Sequence, residues 1–335
     1  MNGSVNNHRK VGGFRFSELF AGVGGFGLGL TPLGGECAFS CDINPHSRMT
    51  YFANYRQVPS GNIRLVDPKA VPKHDILTAG FPCQPFSWAG KRQGREDSKG
   101  RGLLFGEIVR IAAALRPPVL FLENVAHILD IEDGEVVRDI RKRLRSVGYG
   151  MLVEPLDSSD YGVPQSRNRA YFVCFRRDLG IREFEFPAPT NKPVKVADIL
   201  EPESSETRKL EVMENFRWVK NPKAEDPNRP IRLAVWNNGG QGRRVHSIEG
   251  VSPTLCAFGG RGVPSFLIGK TVRRPTVLEC KRLMGFSDSF DLFGSTRIQA
   301  LQLLGNAVIP SMVTLVGERI LATPRKAGWK PGEEP

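Results

Sequence analysis

Polar and apolar positions alternate over residues 14–20, Phe-Arg-Phe-Ser-Glu-Leu-Phe, and the pattern predicts a strand. The strand runs into Ala21-Gly22-Val23-Gly24-Gly25-Phe26-Gly27, and the apolar residues from Leu28 to Leu33 follow as a plausible helix start. Short apolar runs at 36–40, 75–79, 118–122, 150–155 and 169–175 read as further strands. Between them, helical periodicity covers 45–55, 103–115 and 135–147. Strands alternating with helices predict an α/β fold, a doubly wound and mostly parallel sheet. From about Phe186 the texture changes. Pro187-Ala188-Pro189-Thr190-Asn191-Lys192-Pro193 reads as a linker, and residues 200–270 are rich in Gly, Pro, Asn and Arg, which predicts a smaller, loop-rich second domain. Helical pattern returns at 276–284, 296–304 and 308–321.

A chain of 335 residues, 40% of them hydrophobic, is long enough for two domains or one large one with an insertion. No run of about 18 apolar residues and no signal-peptide pattern are seen, so an intracellular protein without membrane attachment is expected. The 6 cysteines include no Cys-x-x-Cys pair, which gives neither a zinc spacing nor a secreted disulfide framework, and no metal is expected. The charge sharpens the picture: 47 Lys and Arg against 35 Asp and Glu leave a net charge of +12, which favours a polyanionic partner. Part of that excess, Lys91, Arg92, Arg95, Lys99 and Arg101, follows directly on the segment with the most pronounced chemistry.

That segment is Gly80-Phe81-Pro82-Cys83-Gln84-Pro85-Phe86-Ser87. A strand delivers one thiol to a sheet edge, and a proline on either side fixes the backbone that carries it. A second apolar run, Val119 to Leu122, ends in Glu123-Asn124-Val125 and brings a carboxyl group to the same edge. Thiol and acid together suit nucleophilic addition to a heterocycle. Lying after four apolar residues, Glu123 should be partly desolvated and its pKa raised. The other cysteines, Cys37, Cys41, Cys174, Cys256 and Cys280, read as small core residues, and His127 as local structure. The glycine turn after the first strand, with Asp42 at the end of the next, is the arrangement that cradles a nucleotide and reaches its ribose.

These residues resemble the DNA (cytosine-5) methyltransferases over nearly the whole chain. Phe20 to Gly25 looks like the family's methyl-donor loop, Gly80 to Ser87 like its catalytic loop, Glu123-Asn124-Val125 like the partner strand, and Gln165-Ser166-Arg167-Asn168-Arg169 like the arginine motif. Arg282 to Asp288 and Gly305 to Pro310 are similar to the last two motifs. The resemblance implies a Rossmann-like methyltransferase domain, residues 1–186 plus 286–335, and a target-recognition domain, residues 187–285. It implies S-adenosylmethionine as donor, held by Phe20, Gly22, Val23, Gly25, Asp42, Ile43, Asn62, Ile63, Pro82, Leu104, Asn306 and Val308. It makes Cys83 the nucleophile at cytosine carbon 6, Glu123 the partner of ring N3, Arg169 the donor to O2, and Arg167 a support for the loop or a phosphate; Asn124 belongs to the same catalytic set.

Two positions depart from the family: Asp42 stands for a more usual Glu, and Asn62 for an Asp set against the adenine amino group. The substrate implied is double-stranded DNA, with the target base flipped out of the stack. Gln241 is the candidate for the vacated space, Arg244 for a guanine edge in the major groove, and Thr254 lies in the same recognition segment. A monomeric modification methylase of a restriction-modification system is the expectation. A tRNA methyltransferase keeps the chemistry with another substrate. A dinucleotide-dependent oxidoreductase leaves Cys83, Glu123 and the two arginines without a use, and a silent DNA-binding protein leaves the thiol and acid without one.

Overall fold

The computed structural model describes residues 13–82, 102–190, 192–202, 209–210, 216–220, 226, 228–236, 243–257 and 262–323. Of the residues singled out above, Cys83 with the rest of its motif to Ser87, the basic cluster Lys91, Arg92, Arg95, Lys99 and Arg101, and Gln241 lie outside them.

The first sheet has the order β2-β1-β3-β4-β6-β5. Its strands are β1 (Phe14–Leu19), β2 (Gly35–Cys41), β3 (Ile76–Gly80), β4 (Val119–Val125), β5 (Tyr149–Asp157) and β6 (Asn168–Arg176). β2, β1, β3 and β4 run parallel. β6 enters antiparallel between β4 and β5. The apolar runs that predicted these strands are buried on both faces. Val119 and Phe121 of β4 belong to one core with Tyr171, Val173 and Phe175 of β6. Leu120 and Leu122 belong to the other, with Ala170, Phe172 and Cys174. A strand covered on both sides reads as a continuous apolar run, which is why β3, β4 and β6 were legible. The helices α2 (Pro45–Tyr55), α3 (Gly102–Leu115) and α4 (Glu135–Ser146) fall where periodicity put them.

The first helix does not. α1 is Gly25–Leu30, followed by a 3-10 turn at Thr31–Leu33, so the helix begins three residues before the expected Leu28. Local propensity disfavours a helix containing Gly25, Gly27 and Gly29. Packing decides otherwise: a Cβ on Gly29 would stand 2.5 Å from Cβ of Val313 and 2.6 Å from the carbonyl oxygen of Pro310. Those residues open α7 (Pro310–Ala322), so Gly29 is what lets α7 lie against α1. α7 and the preceding α6 (Arg297–Asn306) make up a stretch, Arg297–Ala322, that is long and apolar enough to cross a membrane by length and composition alone. Its most apolar part is mostly buried inside the protein, as in a core helix.

Residues 200–270 also differ from the expectation of a mainly loop region. They supply most of a second six-stranded sheet, ordered β7-β12-β11-β10-β9-β8. Its strands are β7 (Lys209–Leu210), β8 (Phe216–Trp218), β9 (Arg232–Trp236), β10 (Arg244–Ser247), β11 (Ser265–Ile268) and β12 (Thr271–Arg273). None exceeds five residues. A run that short gives period-2 alternation too few positions to register. The helix α5 (Val277–Leu283) follows and packs against α6.

Candidate active site

β1 has β2 on one side and β3 on the other, and the crevice at the carboxyl ends of such strands is where open α/β sheets bind ligands. Phe20 follows β1 with a left-handed backbone, φ 54°, and Gly22 and Gly24 turn the chain with φ of 56° and 87°. A bulky residue in that region stores strain, which neighbours must hold in place. Asp42, at the end of β2, does part of this: its Oδ2 accepts the Gly22 N–H at 2.8 Å, and its Oδ1 accepts that of Asn44 at 2.7 Å. Burial pushes the Asp42 carboxyl above its ordinary pKa. A cleft of about 250 Å³ opens beside it, lined by Phe20, Asp42, Ile43, Asn62, Ile63 and Leu104 among others. Ile43 is 71% exposed at its rim. The carbonyl oxygen of the Asn62 side chain accepts the Arg64 N–H at 3.1 Å and so caps the turn that follows. Beyond Asp42 a smaller cavity of about 50 Å³ is lined by Gly22, Asn44, His46, Gln299 and Asn306. Val23 is buried, and Val308 closes on Gly25 so tightly that a Cβ there would stand 2.5 Å from the Val308 carbonyl oxygen.

These two adjoining hollows fit a nucleoside with an amino-acid tail. The wider one has apolar walls and a carboxylate at one end, and open space surrounds Gly22, where a Cβ would meet nothing within 4 Å. No group of three or more metal-ligating side chains occurs among the described residues.

The acid stands at the next edge position. Gly80 of β3 is the register partner of Glu123 of β4. Glu123 is 9% exposed, and desolvation raises its carboxyl pKa against the opposing pull of Arg169 and Arg167. Because β6 is antiparallel to β4, the beginning of β6 lies beside the end of β4, and Tyr171 pairs with Glu123. Arg169, two residues earlier on the same face, reaches diagonally to the carboxylate, with Nε 3.0 Å from Glu123 Oε1. The mostly parallel sheet thus needs its one antiparallel insertion to join these two residues.

Asn124 is buried; its side-chain amide donates to the Phe81 carbonyl at 2.9 Å and its Oδ1 accepts the Val125 N–H. It fixes the chain at Phe81, one residue before Pro82, which is exposed, and two before Cys83. Arg167 lies inside the protein. It is 3% exposed and its guanidinium donates to the carbonyls of Leu255, Gly305 and Ala307 at 3.0, 3.0 and 2.9 Å. These contacts tie the chain just before β6 to the segments that carry Leu255 and Gly305. Thr254 is likewise engaged, its hydroxyl donating to the Ser166 carbonyl at 2.7 Å. Arg244 opens β10, half-buried, opposite Val235 of β9.

Sequence reasoning missed Glu18. It is fully buried under the glycine turn, accepts the Gly27 N–H at 2.8 Å and the Tyr51 hydroxyl at 2.6 Å, and burial pushes its carboxyl up to about 7. Alternation held the signal: Phe14 and Phe16 point to the core, and Glu18 is next on that face.

A family model described as C-5 cytosine-specific DNA methylase matches residues 14–322. Among curated relatives, a type II methyltransferase, M.HhaI, of Haemophilus parahaemolyticus is 37% identical over 93% of this chain and 95% of its own length. M.MspI of Moraxella sp, also a type II methyltransferase, is 35% identical over 92% of this chain and 70% of its own. The fold is shared with the solved Dnmt2 methyltransferase of S. pombe, at a TM-score of 0.69 and 20% identity, covering 92% of this chain and 98% of that one.

Proposed function

The chain belongs to the C-5 cytosine-specific DNA methylase family, and from that premise we propose that it methylates carbon 5 of a flipped cytosine in a specific double-stranded DNA sequence, as the modification enzyme of a restriction-modification system. The observation that carries the reading is the buried Glu123–Arg169 pair, placed at the edge where Gly80 leads the chain towards Cys83.

S-adenosylmethionine, when bound, supplies a methyl group made electrophilic by its sulfonium. Phe20, Asp42, Ile43, Asn62, Ile63 and Leu104 would hold its nucleoside, Pro82 would border it, and Gly22, Val23, Gly25, Asn306 and Val308 would bound its far end. Either oxygen of Asp42 keeps a lone pair beyond the hydrogen bond it already accepts, so a ribose hydroxyl can still donate to it. The Cys83 thiolate adds to carbon 6 of the cytosine while Glu123 donates a proton or hydrogen bond to N3, and the ring's electrons reach carbon 5. A carboxyl whose pKa burial raises is suited to that donation. Arg169 would hold O2, and its contact with Glu123 sets acid and donor at fixed spacing. After methylation the carbon-5 proton leaves, the carbon 6–sulfur bond breaks and the thiolate returns. Asn124 and Arg167 position the loops rather than touch the ring.

The division into a catalytic part, 1–186 plus 286–335, and a recognition part, 187–285, is part of this proposal. So are monomeric action inside the cell and the DNA-reading roles of Gln241, Arg244 and Thr254. Incubating the protein with methyl-labelled donor and either duplex DNA or tRNA tests the substrate. Label in DNA, with bisulfite sequencing placing it at carbon 5 of cytosine in one sequence context, is the expected result, and label in tRNA alone would overturn it.

A further inference from the structure

Two glycines mark where separate parts of the molecule touch without slack. A Cβ on Gly25 would collide with Val308, 2.5 Å from its carbonyl oxygen and 2.7 Å from Cγ1. A Cβ on Gly305 would stand 2.7 Å from the Ala257 nitrogen and 2.8 Å from the Cys256 carbonyl carbon. The segment Gly305–Val308, the end of α6 and the two residues after it, is therefore a wedge, with the glycine turn of the first sheet on one side and the recognition segment on the other. Close-packed contacts of this kind transmit displacement rather than absorb it.

Arg167 spans the same junction. Its Nη2 donates to Gly305 and Ala307 in the wedge, and its Nη1 to Leu255 in the recognition segment. Its Nε is buried with no hydrogen-bond partner, and burial pulls the guanidinium down to about 9. A cation buried against carbonyls is costly to stability. The neighbouring residues stitch the recognition segment to the entrance of β6. The Gln165 side chain accepts the Leu255 N–H at 2.7 Å and donates to the Leu283 carbonyl at 2.8 Å. Ser166 N–H donates to Ser252 at 2.8 Å, and Ser252 N–H to Pro164 at 2.9 Å. Two residues past Arg167, Arg169 meets Glu123.

We infer that Arg167 is a positioning residue that couples the two ligands: it clamps the Gly305–Val308 wedge to the Leu255–Ala257 segment, so that filling the methyl-donor cleft sets the recognition segment for duplex DNA. The inference rests on the proposed function, since it takes the donor cleft and the DNA-reading segment from it. Coupling is reciprocal, so DNA must tighten the donor site by the same factor.

The experiment measures duplex affinity with and without saturating S-adenosylhomocysteine, the unreactive product. In the unaltered protein the product is expected to tighten DNA binding by about 10-fold or more, within the usual range of allosteric coupling. Arg167→Lys and Arg167→Met should bring that factor to within about twofold of unity, while product affinity without DNA changes by less than about threefold. A purely structural role would weaken both binary affinities and leave the factor intact, which overturns the proposal, as does a factor of unity in the unaltered protein. Hydrogen exchange on the unaltered protein without DNA gives a readout that needs no variant to fold. Added product should slow exchange at the Leu255 and Cys256 amides, and protection that stops at Val308 overturns the inference. Methylation of DNA by the unaltered protein is scored separately. A protein that methylates DNA without coupling loses this inference alone; one that does not methylate DNA loses the proposed function.

Discussion

The two six-stranded sheets differ in how they are held. The first has strands of up to nine residues, buried on both faces by two extended cores. The second has strands of two to five residues over two small clusters, Val196, Phe266 and Leu283 in one and Ala234, Val245 and Val272 in the other. Groups that must hold fixed spacing, Glu123, Arg169 and Asn124, sit on the first. Arg244, proposed to read DNA, belongs to the second. Dense burial fixes a carboxyl's position and, by excluding water, raises its pKa. A surface that follows a groove needs short strands and long connections instead.

The comparison breaks most visibly at the acid. Glu123→Gln should lower the methylation rate by about 10² to 10⁴-fold, roughly 3 to 5 kcal/mol in the barrier, with the melting temperature nearly unchanged. A rate within a few-fold of the original removes Glu123 from the chemistry. The density of the first sheet is tested by Phe172→Ala, which should cost about 3 to 5 kcal/mol in denaturant unfolding because Phe172 is fully buried between Phe81 and the rest of its core. Val245→Ala in the second sheet should cost about 2 kcal/mol. Equal losses would erase the contrast.

A titration sharpens it further. His246, in the second sheet, is held down to about 4 by burial, with the charges of Arg244 and Arg232 adding to the effect. It stays neutral when folded, whereas an unfolded histidine takes up a proton from its ordinary 6.5 downwards. The unfolded state therefore gains protons as pH falls from 6.5 to 4, and stability is lost over that window by about 3 kcal/mol. His246→Leu should flatten this part of the pH dependence of unfolding; an unchanged slope would show that His246 is charged in the folded protein. A last test is at the proposed reading surface. Arg244→Ala should relax sequence choice by about 1 to 3 kcal/mol per site, measured as relative binding of cognate and altered duplexes. Uniform weakening on all sequences marks a phosphate contact.

How much was legible follows from the same contrast. Helix α2 falls on the residues that its periodicity indicated, and β4 and β6 lie within a few residues of their apolar runs. These segments are long enough for local pattern to dominate. The glycine-rich α1 was misplaced because its stability comes from α7, nearly 300 positions later, and no window contains both. The short strands of the second sheet escaped because pairing partners, rather than alternation, define them. Among site residues, Glu123 and Arg169 were named separately from their motifs. Their contact depends on β6 running antiparallel, a direction that neither motif carries.

The sequence by itself determined which chemistry is available and in what order. A thiol between prolines, an acid at the end of an apolar strand, a glycine turn and two arginines are local facts, fixed by neighbours a few residues away. Tertiary structure alone decided that Glu18 lies under the glycine turn, that the Glu123 carboxyl is shielded from water beside Arg169, and that Arg167 is given to carbonyls as far as 140 residues along the chain. Burial and long-range hydrogen bonding are properties of which surfaces meet. Residues distant in the chain set them, so no local pattern records them.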